Sequence, residues 1–176
     1  EKFKDKVDAI LWSGYNGQEQ GQAVADVLFG AVNPSGRLSF TWYADGDQMP
    51  HIYDYDLRSS EDSPGYTYMY ATGEQSYPFG YGLSYSNFVY SNLNIDKESV
   101  TPDDTFTVSV DVENTSNTAG KEVVQLYMAT PESPAELERP AKRLQGFEKI
   151  ELQPGEKKTV TMEVGCSGLY FWDNEK

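Results

Sequence analysis

From Phe88 onward, apolar and polar residues alternate along the chain, as they do in strands that bury one face. The alternation is cleanest where four apolar side chains share one face: Phe106, Val108, Val110 and Val112. Strands are predicted over residues 88–95, 105–113, 121–129, 144–152 and 157–164. Short strands that are separated by turns at this spacing predict an antiparallel β-sandwich.

The predicted sandwich has fewer strands than a complete one. The pattern shows five strands and a short stub at 169–172, whereas a fibronectin-type sandwich has about seven strands. We therefore expect the sandwich to be cut short at Lys176. Missing strands would leave an open sheet edge with unpaired backbone groups, so we expect the chain to self-associate through that edge.

The first forty residues show a different pattern, with strands on either side of a helix. Residues 7–12 are mostly apolar and indicate a short buried strand, and residues 22–29 carry apolar side chains at helical spacing. A second strand is predicted over 37–42. One strand–helix–strand unit cannot close a parallel sheet by itself, so this order indicates the last portion of a larger α/β layer.

Residues 43–85 have no sustained period and contain nine of the 13 tyrosines. They predict long ordered loops with short strands, one of which is expected over 65–70. In such a strand Tyr66, Tyr68 and Tyr70 would point to the same side. A loop of this length in a compact domain is usually functional or covers another surface.

These patterns divide the chain into two predicted units. Residues 1–86 form a βα remnant of an α/β sandwich with aromatic loops, and residues 87–176 form an incomplete immunoglobulin-like β-sandwich. The expected fold class is therefore α+β, with most of its regular structure in antiparallel strands.

Composition and charge narrow the classes of partner. Lys and Arg number 14 against 28 Asp and Glu, so the formal net charge is −14. Such an acidic chain is a poor partner for nucleic acid and for an anionic membrane surface. No apolar run approaches the roughly 18 residues of a membrane span. The single cysteine, Cys166, excludes an internal disulfide. The single histidine, His51, argues against a zinc site. We expect no cofactor.

Carboxylates are frequent in the loops, but their surroundings do not favour catalysis. Glycosidases use two carboxylates that flank the scissile bond, and the general acid needs an apolar environment that raises its pKa. The loop carboxylates stand among polar residues, so we expect them to be solvated. Asp45 and Asp47 could contribute to a calcium site, although no EF-hand pattern accompanies them. Asn114 begins a glycosylation sequon, which is a frequent chance match.

The aromatic residues of the loops have the chemistry of a sugar-binding surface. Ligand sites combine aromatic surface with a few well-placed polar groups, and tyrosine and tryptophan offer an apolar ring with a polar tip. The same residues would also suit packing against a neighbouring domain, and both interpretations stay open. The candidate carbohydrate-binding residues are Tyr15, Trp42, Tyr43, Asp47, Gln48, Tyr53, Tyr66 and Tyr68.

Several motifs resemble the C-terminal part of glycoside hydrolase family 3, in the family's order and over nearly the whole chain. They are residues 9–21 (AILWSGYNGQEQG), 23–30 (AVADVLFG), 33–38 (NPSGRL) and 77–85 (YPFGYGLSY). A second group is similar to the family's fibronectin type III-like domain: residues 122–127 (EVVQLY), 143–149 (RLQGFEK) and 152–156 (LQPGE). The residues around 42–43 and 65–68 resemble the β-xylosidase-like branch of the family more than the plain β-glucosidases.

The resemblance implies that this chain is not itself an enzyme. In the family, the nucleophilic aspartate lies in an N-terminal barrel, and the acid/base glutamate lies upstream of the segment that resembles residues 9–30. Both catalytic carboxylates would therefore be absent, and Glu19, which matches the family's turn, inherits no catalytic role. Since the chain begins with Glu1 rather than Met, we expect a processed or excised piece of a secreted bacterial enzyme, extracellular or periplasmic.

The resemblance leaves more than one function open. In the first interpretation, the chain is a non-catalytic carbohydrate-binding module that binds plant cell-wall β-glycans, such as xylan, through its aromatic loops. In the alternative, it is a structural scaffold of a β-xylosidase or β-glucosidase and binds no sugar of its own. In a third, it is one chain of a nicked enzyme. The expected partners are a polysaccharide or oligosaccharide and the missing catalytic domains.

Overall fold

A computed structural model of the chain describes residues 4–131 and 139–170. It contains two α-helices, α1 (Gln20–Leu28) and α2 (Thr67–Tyr70), and single 3₁₀ turns at Lys4–Lys6, Gly46–Gln48 and Cys166–Gly168. The strands are β1 (Trp42–Tyr43), β2 (Gln75–Tyr77), β3 (Phe88–Ile95), β4 (Thr105–Asn114), β5 (Gly120–Met128), β6 (Arg143–Leu152) and β7 (Lys157–Gly165). The fold is mostly β, and every strand pair is antiparallel.

Strands β3 to β7 form the predicted sandwich, with one sheet in the order β3-β4-β7 and a second made of β5 and β6. The alternation of β4 buries Val108 and Val112 fully and Phe106 and Val110 partly, as the sequence pattern predicts. The core between the sheets consists of Val112, Val124, Ile150, Leu152 and Val160. Branched aliphatic side chains pack well on a pleated surface, which explains why these residues form strands here.

The two sheets form a wedge that is closed on one side. Strand β6 packs beside β7, while β3 and β5 stand apart and leave a cavity of about 570 Å³. Its lining is largely apolar and includes Tyr90, Leu93, Val110, Val124 and Met162. Among the described residues, the only strand that pairs with β5 is β6.

Residues 4–86 lack a core of this kind. Helix α1 lies where the apolar spacing predicts it, and it ends before Gly30, whose φ of +76° suits the turn that follows. Its apolar stripe is only half covered, since Leu28 is 63% exposed and the next residue, Phe29, is 88% exposed. No apolar side chain of described residues 4–86 is fully buried.

Two strands predicted in this region are absent or reduced. Residues 7–12 are irregular, because the described part of the chain places no neighbouring strand beside them to accept their hydrogen bonds. The strand predicted over 37–42 is reduced to β1, which pairs with β2 through Trp42 and Tyr77.

The strand predicted over 65–70 is also wrong, because this segment forms helix α2. Thr67 has φ of +62°, and its hydroxyl accepts a hydrogen bond from the amide of Met69 at 3.2 Å. Such local bonds favour turns over strands. Tyr66, Tyr68 and Tyr70 therefore do not share one face. Of the predicted stub at 169–172, Leu169 and Tyr170 are irregular and the remainder lies outside the described residues.

Candidate functional site

The aromatic loops are attached to the sandwich through three rings in mutual contact, which we call the ring stack: Tyr68, Phe79 and Tyr127. Tyr68 lies parallel to Phe79 with ring centroids 4.3 Å apart, and Tyr127 meets Tyr68 edge-on at 5.9 Å. The ammonium group of Lys142 lies 4.8 Å from the centroid of the Tyr127 ring, within the range of a cation–π contact. Two segments of the loops are thereby packed against β5.

Hydrogen bonds reinforce the ring stack. The amide of Leu144 donates to the hydroxyl oxygen of Tyr68 at 3.1 Å, and the side-chain amide of Gln125 donates to the carbonyl of Gly80 at 3.0 Å. The hydroxyl of Tyr127 donates to the side-chain oxygen of Gln125 at 2.6 Å. Burial raises the pKa of Tyr127, with a further contribution from Tyr68, so its phenol stays protonated as a donor.

A second group of rings, the Trp42 cluster, surrounds the short β1–β2 pair. Trp42 contacts Trp12 edge-on at 5.5 Å, stacks on Phe40 at 6.1 Å and meets Tyr77 edge-on at 6.1 Å. Tyr81 extends the cluster, 5.3 Å from Tyr77. The indole nitrogen of Trp42 is buried and has no hydrogen-bond partner among the described residues. Trp42 is therefore packed against three other aromatic rings.

Two more candidate residues stabilise the loops internally. The hydroxyl oxygen of Tyr43 accepts a hydrogen bond from the amide of Thr67 at 3.1 Å. The hydroxyl of Tyr66 lies 2.8 Å from the carbonyl oxygen of Asp54 and 3.1 Å from that of His51. Desolvation, and then the charge of Asp54, raise the pKa of Tyr66.

The remaining candidates are more accessible. Tyr53 is 78% exposed and stands beside the His51 ring at 5.3 Å, and Tyr15 is fully exposed. Asp47 is exposed within a 3₁₀ turn, whereas Gln48 is half-buried against Gly73. The structure thus brings Tyr43 next to the segment that carries Tyr66, through the Thr67 amide. It places Tyr68 against the sandwich, where its ring contacts Tyr127.

A buried ion pair joins the two units, although the sequence pattern does not single out its members. The guanidinium of Arg37 lies 2.5 Å from the carboxylate of Glu122, and their side chains are only 11% and 10% exposed. The hydroxyl of Tyr90 donates to the other carboxylate oxygen at 3.0 Å. Burial, and then the Glu122 charge, raise the pKa of Tyr90 strongly. Glu122 lies two residues before Val124, on the core-facing side of its strand. A carboxylate at such a position needs a buried partner, and this signal could have indicated the ion pair.

Asn33 makes a second polar connection beside this pair. Its amide nitrogen donates to the Ser86 hydroxyl at 2.8 Å and to the Ala119 carbonyl at 2.9 Å. Its amide oxygen accepts from the Ser84 hydroxyl at 2.8 Å and from the Tyr85 amide at 2.9 Å. A cleft of about 640 Å³ lies at this junction, and Arg37, Tyr81, Phe88, Tyr90, Glu122 and Tyr127 contribute to its lining.

Other candidate sites find little support. The side chain of Asn114 is fully buried and donates to Leu152 and Thr118 carbonyls, so it is not an accessible glycan acceptor. Cys166 is buried directly after β7. Within residues 4–131 and 139–170, no three acidic, histidine or cysteine side chains gather to hold a metal ion. In the same residues, no helix has the length and apolar character needed to cross a membrane.

Comparison with known proteins places the chain in a family. Residues 1–85 match the glycosyl hydrolase family 3 C-terminal domain, and residues 122–176 match the fibronectin type III-like domain. The chain therefore belongs to glycoside hydrolase family 3 and corresponds to the C-terminal part of its members.

Individual relatives agree with this assignment. The periplasmic β-glucosidase of Salmonella typhimurium is 39% identical over 99% of this chain and 23% of its own length. The xylan 1,4-β-xylosidase of Xylanibacter ruminicola is 38% identical over 97% of this chain and 18% of its own length. The crystal structure of the β-D-glucoside glucohydrolase from Trichoderma reesei superposes with a TM-score of 0.77 at 32% identity, covering 96% of this chain and 26% of that one. The chain thus spans about a fifth to a quarter of the length of these proteins.

Proposed function

We propose that this chain is a structural segment of a β-glycosidase, in which the sandwich holds the aromatic loops and residues 4–57 pack against the rest of the parent protein. The exposed apolar surface of these residues carries the proposal. Fourteen large apolar side chains between Val7 and Leu57 are substantially exposed, among them Ile10, Phe29 and Ile52. Surfaces this rich in apolar groups mark interaction sites in soluble proteins.

The names of the relatives, a β-glucosidase and a β-xylosidase, support a proposal for the activity of the parent. We propose that the parent hydrolyses β-linked glucosides or xylosides, and that this chain supplies none of the catalytic carboxylates. The loop carboxylates support this, because they stabilise turns. Asp45, Asp54 and Asp56 each accept a hydrogen bond from the backbone amide two residues later, at 3.0 to 3.2 Å. The parent is proposed to act outside the cytoplasm, like the periplasmic relative.

A chimera tests the scaffold function. This chain would replace the matching segment of the Salmonella β-glucosidase, and hydrolysis of an aryl β-glucoside would be measured. We expect the chimera to be active and Phe29→Asp to abolish that activity, because the charge would enter the proposed interface. Phe147→Asp is the matched control, since Phe147 is 68% exposed on β6 of the sandwich. Equal activity of the two variants would contradict the proposal.

Sugar binding is a second candidate function, and exposed rings in the loops favour it. Tyr53 and Tyr55 are 78% and 85% exposed, and Asp47 is exposed nearby in sequence. These rings could lie against pyranose faces of xylan or a related β-glycan, with Tyr15 as a further exposed contact. Trp42, Tyr43, Gln48, Tyr66 and Tyr68 would then act by shaping the loops.

Affinity electrophoresis in gels containing xylan, mannan or β-glucan tests this second function. We expect one polysaccharide to retard the chain and Tyr53→Ala to remove most of that retardation. Tyr170→Ala, at a residue that is 70% exposed beyond the sandwich strands, is the control. Unchanged mobility in all three gels would exclude sugar binding by the chain alone.

The open side of the sandwich supports self-association, which we propose as a further property. The outer edge of β5 has no strand partner among the described residues, and such edges pair readily with another chain. Sedimentation velocity at increasing protein concentration would detect a dimer. A single monomer boundary throughout the concentration series would refute this proposal.

A further inference from the structure

We propose that Arg37 and Asn33 are positioning residues of a polar latch that fixes residues 36–86 against the sandwich. The latch consists of Asn33, Arg37, Ser86, Tyr90 and Glu122. The latch holds the two units of this chain together and is independent of what those units contact in the parent protein. Breaking it should release the loops while the sandwich stays folded.

The charged centre of the latch has partners in both units. One carboxylate oxygen of Glu122 binds Arg37, and the other accepts from Tyr90 of β3. The second guanidinium nitrogen of Arg37 donates to the carbonyl of Gly36 at 3.0 Å, which fixes the direction of the side chain. Removing one member of a buried ion pair leaves the other charge without compensation. Glu122 therefore holds the segment after α1 at one orientation relative to β5.

Asn33 adds a geometric constraint four residues earlier in the same segment. A side-chain amide has two donor hydrogens and an acceptor oxygen with two lone pairs, and Asn33 uses both hydrogens and accepts two bonds. Its partners lie in the linker at Ser84–Ser86 and in the turn before β5. Ser86 continues the connection, since its hydroxyl donates to the carbonyl of Thr118 at 2.7 Å. One side chain thereby determines the relative position of three segments.

The backbone approaches the latch closely at two glycines. A methyl group on Gly120 would lie 2.6 Å from the Ser86 hydroxyl and 2.9 Å from the side-chain nitrogen of Asn33. A methyl group on Gly82 would overlap the carbonyl oxygen of Gly36. The backbone is therefore closely packed against Ser86 and Asn33 at Gly120, and against Gly36 and Arg37 at Gly82.

Hydrogen exchange at two backbone amides that do not contact the latch can report whether the latch is intact. The Leu38 amide donates to the Tyr81 carbonyl at 2.8 Å, and the Gly80 amide donates to the Leu38 carbonyl at 2.7 Å. These bonds join the segment after Arg37 to the loop that enters the ring stack. Because residues 4–86 have no buried apolar core of their own, hydrogen exchange at Leu38 and Gly80 reports whether the loops stay ordered on the sandwich. Exchange at Val110 and Val160 reports the sandwich itself.

The experiment is residue-resolved hydrogen exchange on the full chain and on Arg37→Met, Glu122→Gln and the double variant. We expect each single variant to speed exchange at Leu38 and Gly80 by about tenfold or more, with Val110 and Val160 unchanged. The double variant should exchange more slowly than Arg37→Met, because it leaves no unpaired charge. Lys121→Met is the matched control, since Lys121 pairs with Glu151 on the exposed face of the same strand at 3.5 Å.

Unchanged exchange at Leu38 and Gly80 in Arg37→Met would overturn the proposal. Equal acceleration at all four amides would also overturn it, because the ion pair would then stabilise the sandwich as a whole. If Arg37→Met does not fold, Arg37→Lys and Asn33→Asp give the same test. Lysine keeps the charge and should preserve most of the protection, whereas aspartate at 33 removes both donors and should lose it. Failure of the chimera experiment would leave these outcomes unaffected.

Discussion

Strands β3 to β7 bury an aliphatic core of their own, whereas residues 4–86 are held mainly by contacts with that sandwich and with one another. The sandwich core includes Leu152 and Val112, whose exposed fractions are 0%. In the other region, the order depends on aromatic ring contacts, on the ring stack and on the polar latch. The difference shows that one segment can be well ordered without a core when its polar and aromatic groups find fixed partners on a stable neighbour.

The sharpest test of this comparison removes a large aliphatic side chain from each region. We expect Leu152→Ala to lower the free energy of unfolding by about 2–5 kcal/mol, because it leaves a cavity in the core. Leu28→Ala is the matched change in α1 and should cost no more than about 0.5 kcal/mol, since Leu28 is 63% exposed. Urea denaturation measures both. Comparable losses would mean that residues 4–86 have a core that contributes to global stability.

The close packing of Gly82 against Gly36 can be tested with a pair of glycine substitutions. We expect Gly82→Ala to destabilise the chain by about 1–3 kcal/mol, because the new methyl group meets the backbone carbonyl of Gly36. Gly21→Ala is the control, since Gly21 lies in α1 with open space around it. That change should stabilise the helix by about 0.5–1 kcal/mol. Thermal unfolding of the two variants should therefore shift in opposite directions, and a shift of the same sign would refute the argument.

A smaller effect separates the structural tyrosines from the exposed ones. Tyr68→Phe keeps the ring stack but removes the acceptor for the Leu144 amide, so we expect a loss of about 0.5–1.5 kcal/mol. Tyr15→Phe should have no measurable effect, because Tyr15 is fully exposed. Urea denaturation gives both free-energy changes from the shift in midpoint, provided that the dependence of the unfolding free energy on urea concentration is unchanged. A neutral Tyr68→Phe would show that the rings alone attach the loops.

The smallest expected effect is a dependence of sandwich stability on acid pH. Hydrogen bonds from Thr159 and then Asn92 lower the pKa of Asp111 below its ordinary value of 3.8. A group with a lowered folded-state pKa stabilises the protein above its unfolded pKa and loses that contribution as the pH falls through the folded value. We therefore expect urea midpoints to fall below about pH 4. Thr159→Val should weaken the dependence of the urea midpoint on pH, because it removes one hydrogen bond to Asp111. An identical pH profile for this variant would exclude Asp111 as the cause.

The sequence predicts the sandwich closely because its signals are local. In β4, alternating valines mark a buried face within ten residues, and the observed strand ends one residue beyond the predicted segment 105–113. Helix α1 is equally local, with apolar spacing before Gly30. The division near residue 86 stays a prediction, although the family match that ends at residue 85 is consistent with it.

The candidate site is harder to predict because its residues depend on distant partners. Tyr68 is recognisable as a tyrosine in a loop, but its role depends on Leu144, which is 76 residues away in the chain. Arg37 and Glu122 are 85 residues apart, and neither position is unusual by itself. Residues 7–12 have the pattern of a strand, but a strand forms only beside a neighbouring strand. The local sequence does not show whether such a neighbour is present.

The buried position of the single cysteine has a practical consequence for spectroscopy. Cys166 is 8% exposed in the turn after β7, so a thiol-reactive dye should leave it largely unmodified in the folded protein. A cysteine introduced at an exposed loop position such as Tyr53 would then be the main site of labelling without further mutagenesis. Fluorescence from that position would follow the aromatic loops directly, in solution and in real time.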